Sequence, residues 1–498
     1  MFLLSLSYLP FVSPTLLVVG LICVCLVFLL LVHIVHSLRS PLNDIPGPLY
    51  ARFTNLPLKA AVVAGKRIHF VHALHQRYGK IVRIAPDEVA VASPQAFKII
   101  HAVGGGFEKT EWYRSLNPVP RDGVFTMTDN KAHAGRRRLL SRPFSKSHLR
   151  QHWEPVVRER VELAVARMCA EAAKGPVDVM KWWMFMASDV SAHLMFGESF
   201  QTLEHGVVSE YMRKLQVALM GGGIGAEMPF VRYLGKRLPI QICQDLWNNN
   251  SYLMNYAEAA VKGMRANQGH ANVFAGMVAE AEKAERLDDL DVKQEALNLI
   301  VAGTDTTSIT LTYLVWAVLS RPELQRAVEE EVRGLPEAYQ DAEVEKLELL
   351  NAVIEETLRL YGAAPGGLPR RVPSGGISMG GYFLPGGTTA TTQAFSLHRD
   401  ASLFPDPEEF IPARWMSSHG DGRYAVSDAA RAVYSPFGAG ARTCLGVHLA
   451  TMELRLAAAE FFRRCAGAKL APSMTDELMH MENYFLIAPA GHHLSVEL

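Results

Sequence analysis

The sequence predicts a mainly α fold with a smaller β part, preceded by one membrane-spanning helix. Three observations carry that expectation. Apolar residues recur at helical spacing in residues 158–172, 294–319, 322–334, 347–361 and 450–464. Strand-like alternation is confined to 81–92 and 377–392, where glycines and Pro385 punctuate turns. Residues 16–32 hold neither a charge nor a proline.

The apolar run comes first in the chain. With Thr15 and residues 33–35 it reaches the roughly 20 residues that a spanning helix needs. Nothing basic precedes it, as a cleaved signal peptide would require, so an uncleaved anchor with a helix over about 15–35 is expected within residues 1–40. Arg39, Arg52, Lys59, Lys66 and Arg67 follow it, which puts the rest of the chain on the cytosolic side. Pro41, Pro46 and Pro48 then stop the helix and predict a stiff hinge over 41–50. No repeat or low-complexity tract follows, so 51–498 reads as one domain.

Bulk composition excludes some functions. Lys plus Arg (50) equal Asp plus Glu (50) in the 498 residues, so the basic footprint of a nucleic-acid binder is missing. The six cysteines, Cys23, Cys25, Cys169, Cys243, Cys444 and Cys465, form neither a disulfide framework nor a zinc motif, and read as thiols in a reducing compartment.

Chemistry concentrates at 437–446, FGAGARTCLG, just ahead of a helical run. Gly438 and Gly440 permit a tight loop, and Gly446 leaves no side chain to collide with a flat cofactor beside Cys444. A sulfur at a helix N-terminus is expected to favour thiolate, the form that an iron(III) porphyrin takes as an axial ligand. Arg442 can meet a propionate. Farther up the chain, Ala302, Gly303, Thr304, Asp305, Thr306 and Thr307 put poor helix formers inside a helical run that starts at Asp288 or Asp289. They predict a local distortion, with an acid and an alcohol, Asp305 and Thr306, placed to relay protons. Glu356 and Arg359 share one helix face. Glu323/Arg326, Glu330/Arg333 and Glu460/Arg463 repeat that spacing and read as solvated pairs.

The complete FxxGxRxCxG pattern from Phe437 to Gly446 resembles the haem-binding signature of the cytochrome P450 family. The resemblance extends in family order along nearly the whole chain and implies the mostly helical P450 fold, haem b and insertion of one oxygen atom from O2 into an organic substrate. It implies Cys444 as the axial ligand of iron, with Phe437, Gly438, Arg442 and Gly446 around the haem. Ala302 and Gly303 would lie on the central helix over the haem, with Thr306 as the oxygen-activating threonine and Asp305 as its acidic neighbour. Arg414, in the segment 410–415, would join Glu356 and Arg359 in a structural lock. His133 and Arg137 stand at the spacing of the family's propionate-binding tryptophan and arginine, with histidine replacing tryptophan, and Arg370 is a further propionate ligand. Arg136–Arg138 reads otherwise as a solvated basic face or a docking patch.

By the same analogy the pocket is formed by 111–125, a glycine-rich loop 221–229, 299–304, 363–368 and 483–486, suiting a lipophilic small molecule. The stretch 360–366 and the Gly-Gly turns look like filamentous-fungal members that tailor secondary metabolites, such as a polyketide, terpenoid or alkaloid intermediate. No flavin or nicotinamide module follows the haem loop, so the expected electron donor is a separate NADPH-cytochrome P450 reductase on the endoplasmic reticulum membrane. Two other classes remain open: a haem-thiolate isomerase or dehydratase, and a non-catalytic haem sensor. Reductase dependence separates the first, and product formation excludes the second.

Overall fold

The computed structural model describes residues 14–116, 121–208, 210–248, 288–417 and 422–498, with isolated positions at 255, 258, 262, 272 and 273. Helix Pro14–Leu38 leads the chain, and within it Leu17–Leu38 has a mean hydropathy of 3.2, with its apolar residues exposed and Ser37 buried near its end. It is the one helix among the described residues long and apolar enough to cross a membrane. The prolines after it give 3-10 turns at Pro41–Asp44 and Leu49–Arg52. This segment is docked: Pro46 O accepts from the Arg83 backbone at 2.8 Å, and the Arg83 side chain donates to Asn43 Oδ1 at 2.8 Å.

The body is built around helix Asp289–Leu319, whose start is fixed by a capping box between Asp288 and Asp291. Its residues 309–319 are almost all buried, because helices Val179–Phe196, Glu348–Tyr361 and Val447–Arg464 pack around it. Val179–Phe196 has no apolar stripe for a sequence reading to find, since nearly all its side chains are buried. The local distortion expected near Gly303 is absent, and the helix runs unbroken from Asp289 to Leu319. Its hydroxyls fold back along it: Thr304 donates to Ile300 O at 2.9 Å, Thr310 to Thr306 O at 2.8 Å and Thr312 to Ser308 O at 2.7 Å. Those bonds satisfy the small polar side chains without breaking the ladder.

The β part includes a five-stranded sheet in the order Ile81–Ala85, Glu88–Val91, Thr389–Gln393, Gly367–Arg371, Glu108–Lys109. Only the pairing of Glu88–Val91 with Thr389–Gln393 is parallel. The register sets Lys109 opposite Arg370, and so brings two cations from distant sequence to one sheet edge.

The stretch 221–229 is not the expected loop, because Gly221–Glu227 is the end of helix Glu210–Glu227. Its glycines answer to three neighbours. A β-carbon at Gly221 would stand 2.0 Å from Leu246 O, at Gly222 2.5 Å from Leu116 O, and at Gly223 2.4 Å from Tyr484 O. Three separate segments therefore rest their backbones on one helical turn.

Glu356, Arg359 and Arg414 meet as a fully buried triad. Arg359 grips Glu356 with two bonds of 2.8 and 2.9 Å, and Arg414 Nε reaches it at 3.1 Å. The Ile411 N–H and Trp415 Nε1 also donate to this carboxylate, each at 2.9 Å. The remaining Arg359 donors close on carbonyls of His398, Pro407 and Glu409. Of the similarly spaced pairs, Glu330/Arg333 is exposed as expected. Glu460 is not: it is buried, accepts from Tyr339 OH at 2.8 Å and pairs with Arg464.

Candidate active site

The loop 437–446 passes through left-handed conformations at Gly438 (φ 71°) and Gly440 (φ 66°). A β-carbon at Gly440 would stand 2.0 Å from His101 O, so only glycine lets the loop rest on the end of helix Pro94–His101. The Cys444 N–H donates to Phe437 O at 2.8 Å, and helix Val447–Arg464 begins three residues after the sulfur with Gly446 as its N-cap. A β-carbon at Gly446 would meet only Cys444 Sγ, at 4.0 Å.

Cys444 is hemmed in by protein and yet carries exposed surface. The two agree if the sulfur faces a space inside the molecule. Burial pushes its thiol up, against the weaker pulls of the Gly446 N–H and the Arg137 guanidinium. The N–H at this helix end acts toward thiolate, as the sequence leads one to expect, but does not by itself offset burial. A bound metal cation does, because coordination deprotonates a thiol.

The central helix shows the same kind of inward exposure. Ala302 is exposed and Gly303 and Thr306 are partly so, whereas Thr304, Asp305, Thr307 and Ser308 are buried. Gly303 is glycine for a further reason: a β-carbon there would lie 2.2 Å from Ser191 Oγ on helix Val179–Phe196. Thr306 Oγ1 donates to Ala302 O at 2.7 Å, which holds the hydroxyl beside the exposed face. Among the described residues the Asp305 carboxyl has no hydrogen-bond or ion-pair partner, and burial raises it to about 6. It can take up and release a proton near neutral pH.

The third component is electrostatic. His133, Arg137, Arg370 and Arg442 line a cavity of about 430 Å³ between the turn 102–106, helix Asn130–Ser141 and the cysteine loop. Lys109, unnoticed in the sequence, joins them in charge: Arg370 and Arg442 act on it, and with burial they hold its ammonium well below the usual range. Its Nζ donates to Phe125 O at 2.5 Å and sits 4.1 and 4.3 Å from the ring centres of Tyr113 and Phe125. Among the described residues, Lys109, Arg137, Arg370 and Arg442 form no ion pair with a carboxylate. Arg370 Nε and Arg442 Nε are buried without partners. The other Arg442 nitrogens tie the cysteine loop to Met127 O at 2.8 Å, Thr128 O at 3.0 Å and Asn130 Oδ1 at 2.9 Å. His133 is pushed down to about 3 by burial and by these cations, and so is a neutral donor. Its neighbour Arg136 is not part of a solvated face. It is buried, bonding Asp291 at 3.0 Å and Glu295 at 2.7 Å, while Arg138 stays exposed.

A second unforeseen residue is Glu453, nine positions after Cys444. It is buried and raised to about 8 by desolvation, accepts from Thr307 Oγ1 at 2.9 Å, and leaves Oε1 without a partner. The only mark in the sequence is one acid inside the apolar run 449–459. Lys109 carries no local mark at all, because its neighbours come from residues 113, 125, 370 and 442.

Beside Lys109, Trp112, Tyr113, Phe125 and Phe485 close a ring of three edge-on aromatic contacts and one tilted contact, between Trp112 and Phe485. Their centroids are 5.2, 5.7, 5.7 and 6.2 Å apart in turn. Residues 117–120 of the expected pocket segment lie outside the described residues.

Four basic side chains that pair with no carboxylate among the described residues stand around the cysteine loop and complement the two carboxylates of an iron porphyrin, so the residues present fit haem. Such a site suits a haem-binding protein. The chain belongs to the cytochrome P450 family, whose sequence model matches residues 46–495. It is 42% identical to cytochrome P450 monooxygenase stcB of Emericella nidulans, across 90% of this chain and 86% of that one. Cytochrome P450 monooxygenase aflV of Aspergillus parasiticus is 38% identical across 92% of each chain. A methylphloroacetophenone oxidase of Cladonia uncialis is 34% identical across 79% of this chain and 91% of its own. The protein is accordingly a haem monooxygenase that uses O2 and a small-molecule substrate.

Proposed function

We propose that this chain is a membrane-anchored monooxygenase of fungal secondary metabolism that oxidises a flat, lipophilic substrate, with Cys444 as the ligand of the haem iron. The observation that carries the reading is Cys444, partly open at the head of helix Val447–Arg464, near a group of basic side chains that pair with no carboxylate among the described residues. Haem held there would supply the redox chemistry for inserting one oxygen atom of O2 into the substrate. His133, Arg137, Arg370, Arg442 and Lys109 hold the propionates, and Phe437, Gly438 and Gly446 leave room around the sulfur.

Proton delivery falls to the central helix. Asp305 Oδ, with its pKa near 6, gives up a proton at neutral pH, and the Thr306 hydroxyl beside Ala302 and Gly303 passes it toward the reacting face. Glu356, Arg359 and Arg414 act at a distance by holding the domain together. The aromatic ring of Trp112, Tyr113, Phe125 and Phe485 favours a planar substrate, and a relative named for oxidising methylphloroacetophenone supports an aromatic polyketide.

Residues 1–40 form the anchor, 41–50 the stiff link and 51–498 the catalytic domain, which faces the cytosol from the endoplasmic reticulum. Electrons come from a separate NADPH-cytochrome P450 reductase. The reduced carbon-monoxide difference spectrum tests the reading: the long-wavelength band of a thiolate-ligated haem is expected, and it is lost in Cys444→Ala. Thr306→Ala keeps the band but consumes NADPH without matching product. A Cys444→Ala protein that retained the band would remove Cys444 as the ligand.

A further inference from the structure

Cys169 and Cys465 are 296 residues apart in sequence, yet their sulfurs lie 3.8 Å apart. Cys169 is near the end of helix Glu154–Ala172, and Cys465 is the residue that ends helix Val447–Arg464. A small sheet holds the two chain ends together from outside. Val177–Asp178, just after the first helix, pairs with Ser495–Glu497, and this strand pairs in turn with Lys469–Leu470, four residues past Cys465. The cysteines therefore face each other across a frame that is already hydrogen-bonded.

We propose that Cys169 and Cys465 form a peroxide-driven, reversible disulfide that locks helix Glu154–Ala172 to the far end of the helix that begins beside Cys444. A disulfide has an S–S distance of about 2.05 Å, so the sulfurs must approach by about 1.8 Å. Two side-chain rotations share that movement, and the flanking ladder keeps the backbones where they are. The two thiols also differ in access. Cys169 is half-buried and open to a small oxidant, whereas Cys465 is buried. The more open Cys169 therefore meets the oxidant first, while burial and then Cys169 push the Cys465 thiol up.

The Cys169 thiolate attacks one oxygen of hydrogen peroxide; an S–O bond forms, the O–O bond breaks, and the departing hydroxide takes up a proton to become water. Cys465 Sγ then attacks Cys169 Sγ; the S–S bond forms, the S–O bond breaks, and the leaving hydroxide accepts the Cys465 proton to give a second water. Two thiols are oxidised and one peroxide is reduced. A monooxygenase that consumes O2 and electrons without oxidising substrate releases hydrogen peroxide, so the oxidant arises at this protein's own site. In a reducing compartment such a bond is transient, and its lifetime is set by the thiol pool.

The test uses the haem-loaded, full-length protein. It is treated with an equimolar amount of hydrogen peroxide, alkylated, digested without reductant and read by mass spectrometry. The expected product is a linked pair of peptides carrying Cys169 and Cys465, lighter by two hydrogens and separated by dithiothreitol, with Cys243 alkylated. The thermal midpoint rises on oxidation and returns on reduction, and neither change occurs in Cys169→Ser or Cys465→Ala. The proposal is overturned if both thiols are alkylated after peroxide, or if Cys169 advances to sulfinic acid without a link. Added peroxide makes the result independent of substrate and reductase, so a failure here leaves the proposed function standing.

Discussion

Glu453 illustrates how burial turns one side chain into a pH-dependent term. Its carboxyl, raised to about 8, keeps its proton in the folded protein over a range where the unfolded chain has lost it. The folded state binds more protons between the ordinary carboxylate value and pH 8, so stability is greatest below that range and declines as pH rises through it. The ceiling on this decline is about 5 kcal/mol, from one pKa unit per about 1.4 kcal/mol. Glu453→Gln should flatten it, which urea melts at several pH values between 5 and 8 measure; an unchanged slope would remove Glu453 as the source. Lys109 makes a different prediction, because among the described residues its buried amine has no carboxylate partner, and a haem propionate would supply one. Lys109→Gln should release haem to an excess of apomyoglobin roughly tenfold faster, the worth of one charge-assisted hydrogen bond of about 1.5 kcal/mol. Release at the wild-type rate would mean that Lys109 does not touch the propionates. Single residues were legible where a motif fixes their neighbours. Cys444 and Arg442 lie in one decapeptide, and Glu356 and Arg359 on one helical turn. Lys109 was illegible because its partners are brought to it by strand register, and Glu453 because its only bonding partner among the described residues, Thr307, lies 146 residues away.

Among the elements, helix Glu210–Glu227 makes an unusual demand on its glycines. In an open helix, glycine to alanine stabilises by about 1 kcal/mol. At Gly223 the added carbon would stand 2.4 Å from Tyr484 O, and relieving such a clash costs about 1–3 kcal/mol. Gly223→Ala should therefore lower the thermal midpoint, whereas Gly135→Ala, where nothing lies within 4 Å, should raise it by the equivalent of about 0.5–1 kcal/mol. Equal shifts in scanning calorimetry would show that the three-way contact gives way easily. The same turn explains a misreading: three glycines in a row look like a loop when composition is the only guide. Val179–Phe196 escaped for the opposite reason, since an element buried on every side has no periodicity. The central helix was legible in extent and misjudged in shape, because its hydroxyls find carbonyl acceptors within the ladder.

The whole molecule depends on the buried triad to hold the segment 398–415 against helix Glu348–Tyr361. Glu356 receives five hydrogen bonds in all, so losing its charge strands two guanidinium groups in the interior. Breaking a buried pair in this way costs about 3–5 kcal/mol. Glu356→Gln should sharply reduce the yield of haem-loaded protein and its thermal midpoint; a normal midpoint would reduce the triad to ornament. The fold class was readable because the helical runs are long and the anchor is apolar throughout, but the sheet that sets Lys109 beside Arg370 joins five segments from across the chain.

The clamp of Arg442 on Met127 has a consequence for biosynthesis. Its two ends are 315 residues apart, and at roughly 5–20 residues per second the second end leaves the ribosome on the order of 15–60 s after the first. Throughout that interval the cofactor cradle has only one wall. Haem capture is therefore a late event that follows emergence of the cysteine loop, and cells short of haem should accumulate chains whose 430–446 region is cut by proteases.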